Sequence, residues 1–162
     1  MNGSAMATLK SGLLILLILS FALSSNLEAG AQASDAQEVP ARLDCGPFST
    51  TPKKLPAFTD ELVFTYSRGV FKTERATRSK SGKELLEGSL DPLGAIRIAG
   101  RGSYEDGSSD WIYEFRGQLR RIEPTVLIGE VRNTGGLIGF RRCVIRFALP
   151  PSELLARLSP QN

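Results

Sequence analysis

Histidine is absent from all 162 residues of the chain. That gap removes the usual general base, the commonest metal ligand and the ordinary pH switch of neutral solution. Serine or cysteine nucleophiles activated by histidine go with it, leaving only lysine to serve such a group as base. Ser79-Lys80 and Ser81-Gly82-Lys83 hold both residue types, but no nucleophile elbow surrounds them, and the basic, small-residue run Thr77–Lys83 reads as an exposed loop. Dinucleotide and nucleotide fingerprints are missing as well: Gly100-Arg101-Gly102 has no glycine three residues further on. Glu105-Asp106-Gly107-Ser108-Ser109-Asp110 lacks the ligand spacing and closing glutamate of a calcium loop and reads as a hairpin turn. No cofactor and no metal are therefore expected.

Charge of one sign is also scarce. The net charge is +3, and from Ser34 onward 19 Lys plus Arg stand against 16 Asp plus Glu. Such a surplus is too mild to point to nucleic acid. Long hydrophobic runs are limited to one, from Gly12 to Leu23, preceded by Lys10 and followed by Ala29-Gly30-Ala31-Gln32-Ala33. A run of 12 apolar residues is short of the roughly 18 to 20 that span a bilayer. Small residues at Ala31 and Ala33, or Ala29 and Ala31, suit a signal peptidase cutting before Ser34 or Gln32. Residues 1–33 are read as a cleavable signal peptide, with no transmembrane segment left after cleavage. No cysteine follows the run as a lipid anchor would need, and no twin arginine precedes it. The expected location is periplasmic or extracellular. The Arg- and Ala-rich composition, with no Asn-x-Ser/Thr site after residue 33, leans toward a bacterial source.

Two cysteines are present, Cys45 and Cys143. In an exported chain an even count reads as a disulfide. With two cysteines only one pairing exists, closing a loop of about 99 residues and tying the start of the domain to its last strand.

Between them the pattern is that of β-structure. Residues 34–58 are rich in Ser, Pro, Ala and Lys, and read as an irregular lead-in tied down at Cys45; residues 59–162 read as a single β domain. Strands are expected near Glu61–Tyr66, Val70–Arg75, Glu84–Leu90, Ala95–Tyr104, Trp111–Leu119, Thr125–Arg132 and Leu137–Ala148, separated by Gly, Asp and Asn turns. Ile96, Ile98, Gly100, Gly102 and Tyr104 share one face; Trp111, Tyr113, Phe115, Gly117 and Leu119 share another. Pro150-Pro151-Ser152 followed by Leu154, Leu155 and Leu158 predicts a short terminal helix. The fold class is mostly β: a small antiparallel meander barrel or sandwich of about 6–8 strands. Glycines within strands (Gly88, Gly100, Gly102, Gly117, Gly129, Gly139) suit tight packing inside it.

Two binding readings follow. In the first, a non-enzymatic module presents Arg120, Arg121, Arg132, Arg141 and Arg142, with Arg116 and Arg146, to an anionic envelope polysaccharide, a lipid head group or a periplasmic protein. In the second, the aromatic face of Trp111, Tyr113 and Phe115 lines an apolar cavity that holds a small ligand. A carboxylate-dependent hydrolase is the remote third; Glu114 and Glu130 are its least ordinary carboxylates, though outward strand positions explain them.

Overall fold

The computed structural model describes residues 36–49, 55–78, 80–135 and 139–159. The leader read at residues 1–33 and its cleavage sites lie outside the described residues. Eight strands follow one another around a closed antiparallel barrel. They are β1 (Gln37–Cys45), β2 (Phe58–Ser67), β3 (Val70–Ala76), β4 (Gly82–Leu90), β5 (Ala95–Tyr104), β6 (Asp110–Gln118), β7 (Val126–Gly135) and β8 (Phe140–Phe147). A helix, α1 (Pro151–Leu158), comes last. Among the described residues no helix is long and apolar enough to cross a membrane.

The expected irregular lead-in is corrected here: its first half contains β1, a full barrel strand. Val39, Ala41, Leu43 and Cys45 point inward and are buried. The alternation is easily missed, because its inward residues include a small alanine and a cysteine and Pro40 interrupts it. Proline costs little at that position. The Ala148 N–H donates to the Pro40 carbonyl just past the last β1–β8 pair, Ala41–Phe147, so the proline's missing donor falls where the β8 ladder has ended.

Closure follows from β1 pairing with both β2 and β8, which leaves no exposed sheet edge. The β1–β8 seam ends on Cys45 opposite Cys143, and these two form the disulfide. A disulfide, with no membrane-crossing helix among the described residues, is consistent with an exported protein.

The registers define the two ends of the barrel. Gln37 lies level with Tyr66, and Cys45 with Phe58. The β2–β3, β4–β5 and β6–β7 turns therefore share one end with α1, and the other four connections share the opposite end. At the first end the chain reverses tightly. Arg68 and Gly69 both take positive φ (50° and 83°), the two-residue turn whose twist matches a hairpin.

Helix α1 starts at Pro151, where proline's absent N–H would have had no partner anyway. Its buried face, Leu154 and Leu158, joins the core cluster that contains Phe64, Phe71 and Phe147. Tyr66 Oη donates to the Leu158 carbonyl at 3.0 Å, and Arg157 donates to the Glu38 carbonyl, so the helix stops this end of the barrel. Leu154 is wholly buried. Leu154→Ala is expected to cost about 2 to 5 kcal/mol in urea unfolding; a loss below about 1 kcal/mol would mean that the helix does not plug the barrel.

Large side chains inside the barrel lie over glycines of the next strand. A Cβ on Gly102 would meet the Trp111 ring at 2.3 Å, and one on Gly129 would meet the Phe115 ring at 2.6 Å. The strand glycines thus let bulky residues cross a narrow interior, as the sequence predicts.

Candidate functional site

The interior changes character along its axis. Near α1 it is aromatic and aliphatic: the Phe64 and Phe71 rings meet edge to face at 6.0 Å, and Phe71 lies 5.7 Å from Phe147. Toward the other end the same inward-facing rows deliver Asp60 from β2, Arg75 from β3, Glu84 from β4, Trp111 and Tyr113 from β6, and Arg141 from β8. These residues line a cavity of about 630 Å³, walled further by Phe48, Phe58, Tyr104 and Val131. That volume lies within the range of small-molecule sites, about 300 to 1,000 Å³.

One wall is a hydrogen-bonded charge network. Glu84 Oε2 accepts from Arg75 Nε at 2.6 Å, and Glu84 Oε1 accepts from Tyr113 Oη at 2.6 Å and Trp111 Nε1 at 3.2 Å. Arg75 continues to Asp60, which also accepts from Arg78 at the rim. Burial pulls the Arg75 guanidinium down, but the Glu84 and Asp60 carboxylates outweigh it, and the net shift is upward. The Tyr113 phenol is pushed well above its usual value, first by burial and then by the negative charge of Glu84. Tyr113 therefore stays a neutral donor to Glu84 at any physiological pH.

The rim is braced by the β5–β6 hairpin. Asp106 accepts from the Ser108 N–H at 2.9 Å and from Lys80 Nζ at 3.0 Å. Its carboxyl is held down to about 2, chiefly by hydrogen bonds from Ser108 and then by Lys80. The acidic turn singled out in the sequence thus fastens the β3–β4 connection across the mouth.

Arg141 occupies the opposite wall. It is 8% exposed, and its guanidinium carbon sits 5.1 Å from the Phe48 ring centroid and 4.9 Å from that of Phe58. Arg141 Nη1 donates to the Pro56 carbonyl at 3.3 Å, and no carboxylate among the described residues pairs with it. Burial pulls its pKa down.

The structure does not gather the arginines into one face. Arg120 and Arg121 lie in the β6–β7 turn at the plugged end. Arg132 and Arg142 point outward near the open end; Arg132 pairs with Glu130, and Arg142 lies opposite Glu130 in the ladder. Arg141 alone points into the barrel. The reason is elementary: neighbours on a strand face opposite sides, and the turn and the far end of a hairpin are a strand's length apart. Arg116 lies outside opposite Ile128, and Arg146 lies outside, 3.6 Å from Asp44. Glu114 and Glu130 are outward strand positions as read.

Of the aromatic trio, Trp111 and Tyr113 line the cavity, while Phe115 lies deeper, 1% exposed in the core. The cavity beside Trp111 is apolar over most of its lining, with one polar wall in which the indole and phenol both serve a buried carboxylate. Sequence reading passed over Asp60, Arg75, Glu84, Phe48 and Phe58. Their signal is parity: Asp60 continues the inward row Leu62-Phe64-Tyr66, Arg75 the row Phe71-Thr73, and Glu84 precedes inward Leu86. Compared with models of protein families, with curated proteins and with solved structures, the chain matches none.

Proposed function

We propose that the protein works outside the cytoplasm as a cup for a small organic molecule, bound without chemical change in the open half of the barrel. The observation that carries this reading is the cavity itself. One end of the barrel is packed solid and stopped by α1, while the other holds about 630 Å³ lined by aromatic rings and oriented polar groups. An eight-stranded barrel is about wide enough to hold one small ligand.

Stability alone gives no reason for this lining. A buried ion-pair network is often no more stabilising than well-packed apolar residues of the same volume. Asp60, Arg75, Glu84, Trp111 and Tyr113 instead hold one another in fixed orientations, which is what a preorganised binding wall requires. A binding role also suits Glu84, the carboxylate best placed for acid–base work, because tyrosine, tryptophan and arginine donors already engage it. The outer-arginine reading loses its support with the scatter of Arg120, Arg121, Arg132 and Arg142 over both ends.

Trp111 is the chain's one tryptophan and lines the cavity, so its emission reports on occupancy. The oxidised domain from Ser34, incubated with envelope extract and then analysed by native mass spectrometry, is expected to carry one small-molecule adduct per chain. Adding the released compound back should shift Trp111 emission. A bare mass from every extract, together with Trp111 emission that no small organic compound alters, would sink the proposal.

A further inference from the structure

We infer that the ligand is an organic acid, whose oxyanion group sits on Arg141 and whose body lies against the aromatic wall of the cavity. This rests on the cup reading above and names the chemical class that the cup takes.

The charges of the lining decide the sign. Arg75, Arg78, Lys80 and Arg141 face Asp60 and Glu84. Asp60 and Glu84 are committed to Arg75 and Arg78, and Lys80 reaches Asp106 outside the cavity at 3.0 Å. The cation left over is Arg141. Arginine remains charged even when largely buried, and Arg141, at 8% exposure, has no carboxylate partner among the described residues, so its charge is compensated only through the cavity it lines. An anion entering the cavity supplies that compensation, whereas a neutral or cationic ligand does not.

Geometry narrows the class. The guanidinium carbon lies over the Phe48 and Phe58 rings, and aromatic rings accept none of its N–H donors as a carboxylate would. Every described side-chain N or O shut off from solvent has a hydrogen-bond partner, so the donors of Arg141 that lack one reach solvent, and Arg141 is one of the residues lining the cavity. An arginine edge presented in this way fits the paired oxygens of a carboxylate, sulfonate or phosphate. The rest of the lining selects against a bare inorganic anion. Phe48, Leu55, Phe58, Tyr104, Trp111 and Val131 offer far more apolar surface than an inorganic ion can cover, and that surface rewards a ligand with a carbon skeleton.

Two fluorescent probes share a body and differ in the charged group: 1-anilinonaphthalene-8-sulfonate and its neutral counterpart N-phenyl-1-naphthylamine. Titrated into the oxidised domain, the sulfonate is expected to bind at one site, at least about tenfold tighter than the neutral probe. In Arg141→Gln the sulfonate's preference over the neutral probe should disappear. Unlabelled 2-naphthoate should displace the sulfonate at concentrations where inorganic sulfate and phosphate do not.

Equal binding of the two probes to the unaltered protein overturns the acid inference and leaves the cup standing. Equal displacement by inorganic phosphate and 2-naphthoate overturns the organic part. Binding of neither probe overturns the inference, and an adduct in the mass spectrum would then still support the cup. The comparison on the unaltered protein decides the matter even where Arg141→Gln fails to fold.

Discussion

Reducing the Cys45–Cys143 bond, or replacing both residues by alanine, is expected to lower the unfolding free energy by about 4 kcal/mol, with about 5 as the upper figure for a loop of this length. For a domain of this size that corresponds to a fall in Tm of roughly 10–20 °C. The effect is large because of where the bond sits. Seven of the eight ladders join strands adjacent in sequence, so their closure entropy is small. The eighth, β1 to β8, must bring together residues 98 positions apart, and it runs only from Ala41–Phe147 to Cys45–Cys143. Once the seam parts, β1 and β8 become two unpaired edges and the barrel becomes an open sheet. The damage also reaches the site. The chain beyond Cys45 is laid across β8 by the Gly46 N–H on the Arg142 carbonyl and the Ser49 N–H on the Phe140 carbonyl, both at 2.9 Å, and it carries Phe48 onto Arg141. Urea unfolding of the oxidised and reduced domain at matched pH is the measurement. A difference below about 1 kcal/mol would mean that the eighth ladder holds without its bond.

The sequence exposes the barrel more readily than the site, for a reason visible in single strands. Strands β5 and β6 follow simple alternation, with Ile96-Ile98-Gly100-Gly102 and Trp111-Tyr113-Phe115 inward, and their bounds fall within a residue of the expected ones. Strand β1 is hidden because Pro40 and Ala41 carry weak strand signals, and what makes it a strand is pairing with β2 and with β8, far away in sequence. The site is hidden by the rule that reveals the strands. Inward positions are recognised by being apolar, so Asp60, Arg75 and Glu84 read as outward or as strand ends, and the polar half of the interior is taken for surface. Arg141 is hidden in another way: beside Arg142 it looks like half of a basic pair, although the pleat sends the two to opposite sides of the wall. Trp111 and Tyr113 were legible as an inward face. That they serve a carboxylate was not, because Glu84 is 27 positions from Trp111 in the chain.

The buried network yields the other large effect. Glu84→Leu is expected to destabilise the domain by about 3 to 5 kcal/mol, since it leaves the charge of Arg75 buried with half of its compensation gone. After the change Arg75 depends on Asp60 alone, and Asp60 is already shared with Arg78. Tyr113 Oη loses its acceptor at 2.6 Å, while Trp111 Nε1 keeps only Tyr113 Oη at 3.0 Å. Adding Arg75→Leu should recover most of the loss, because the stranded cation goes and Asp60 retains Arg78. That recovery separates two roles of the network. Were its purpose stability, the double variant would remain far below the original protein; if its purpose is orientation, the double variant folds almost as well while Trp111 and Tyr113 lose their anchor. In the second case probe binding weakens although the fold survives, and Trp111 emission broadens as the ring samples more than one position. Urea midpoints of the two variants, read beside probe titrations on each, measure both quantities. A Glu84→Leu protein within about 1 kcal/mol of the original would show that Arg75 finds solvent through the mouth, and the polar wall would then be rim rather than interior.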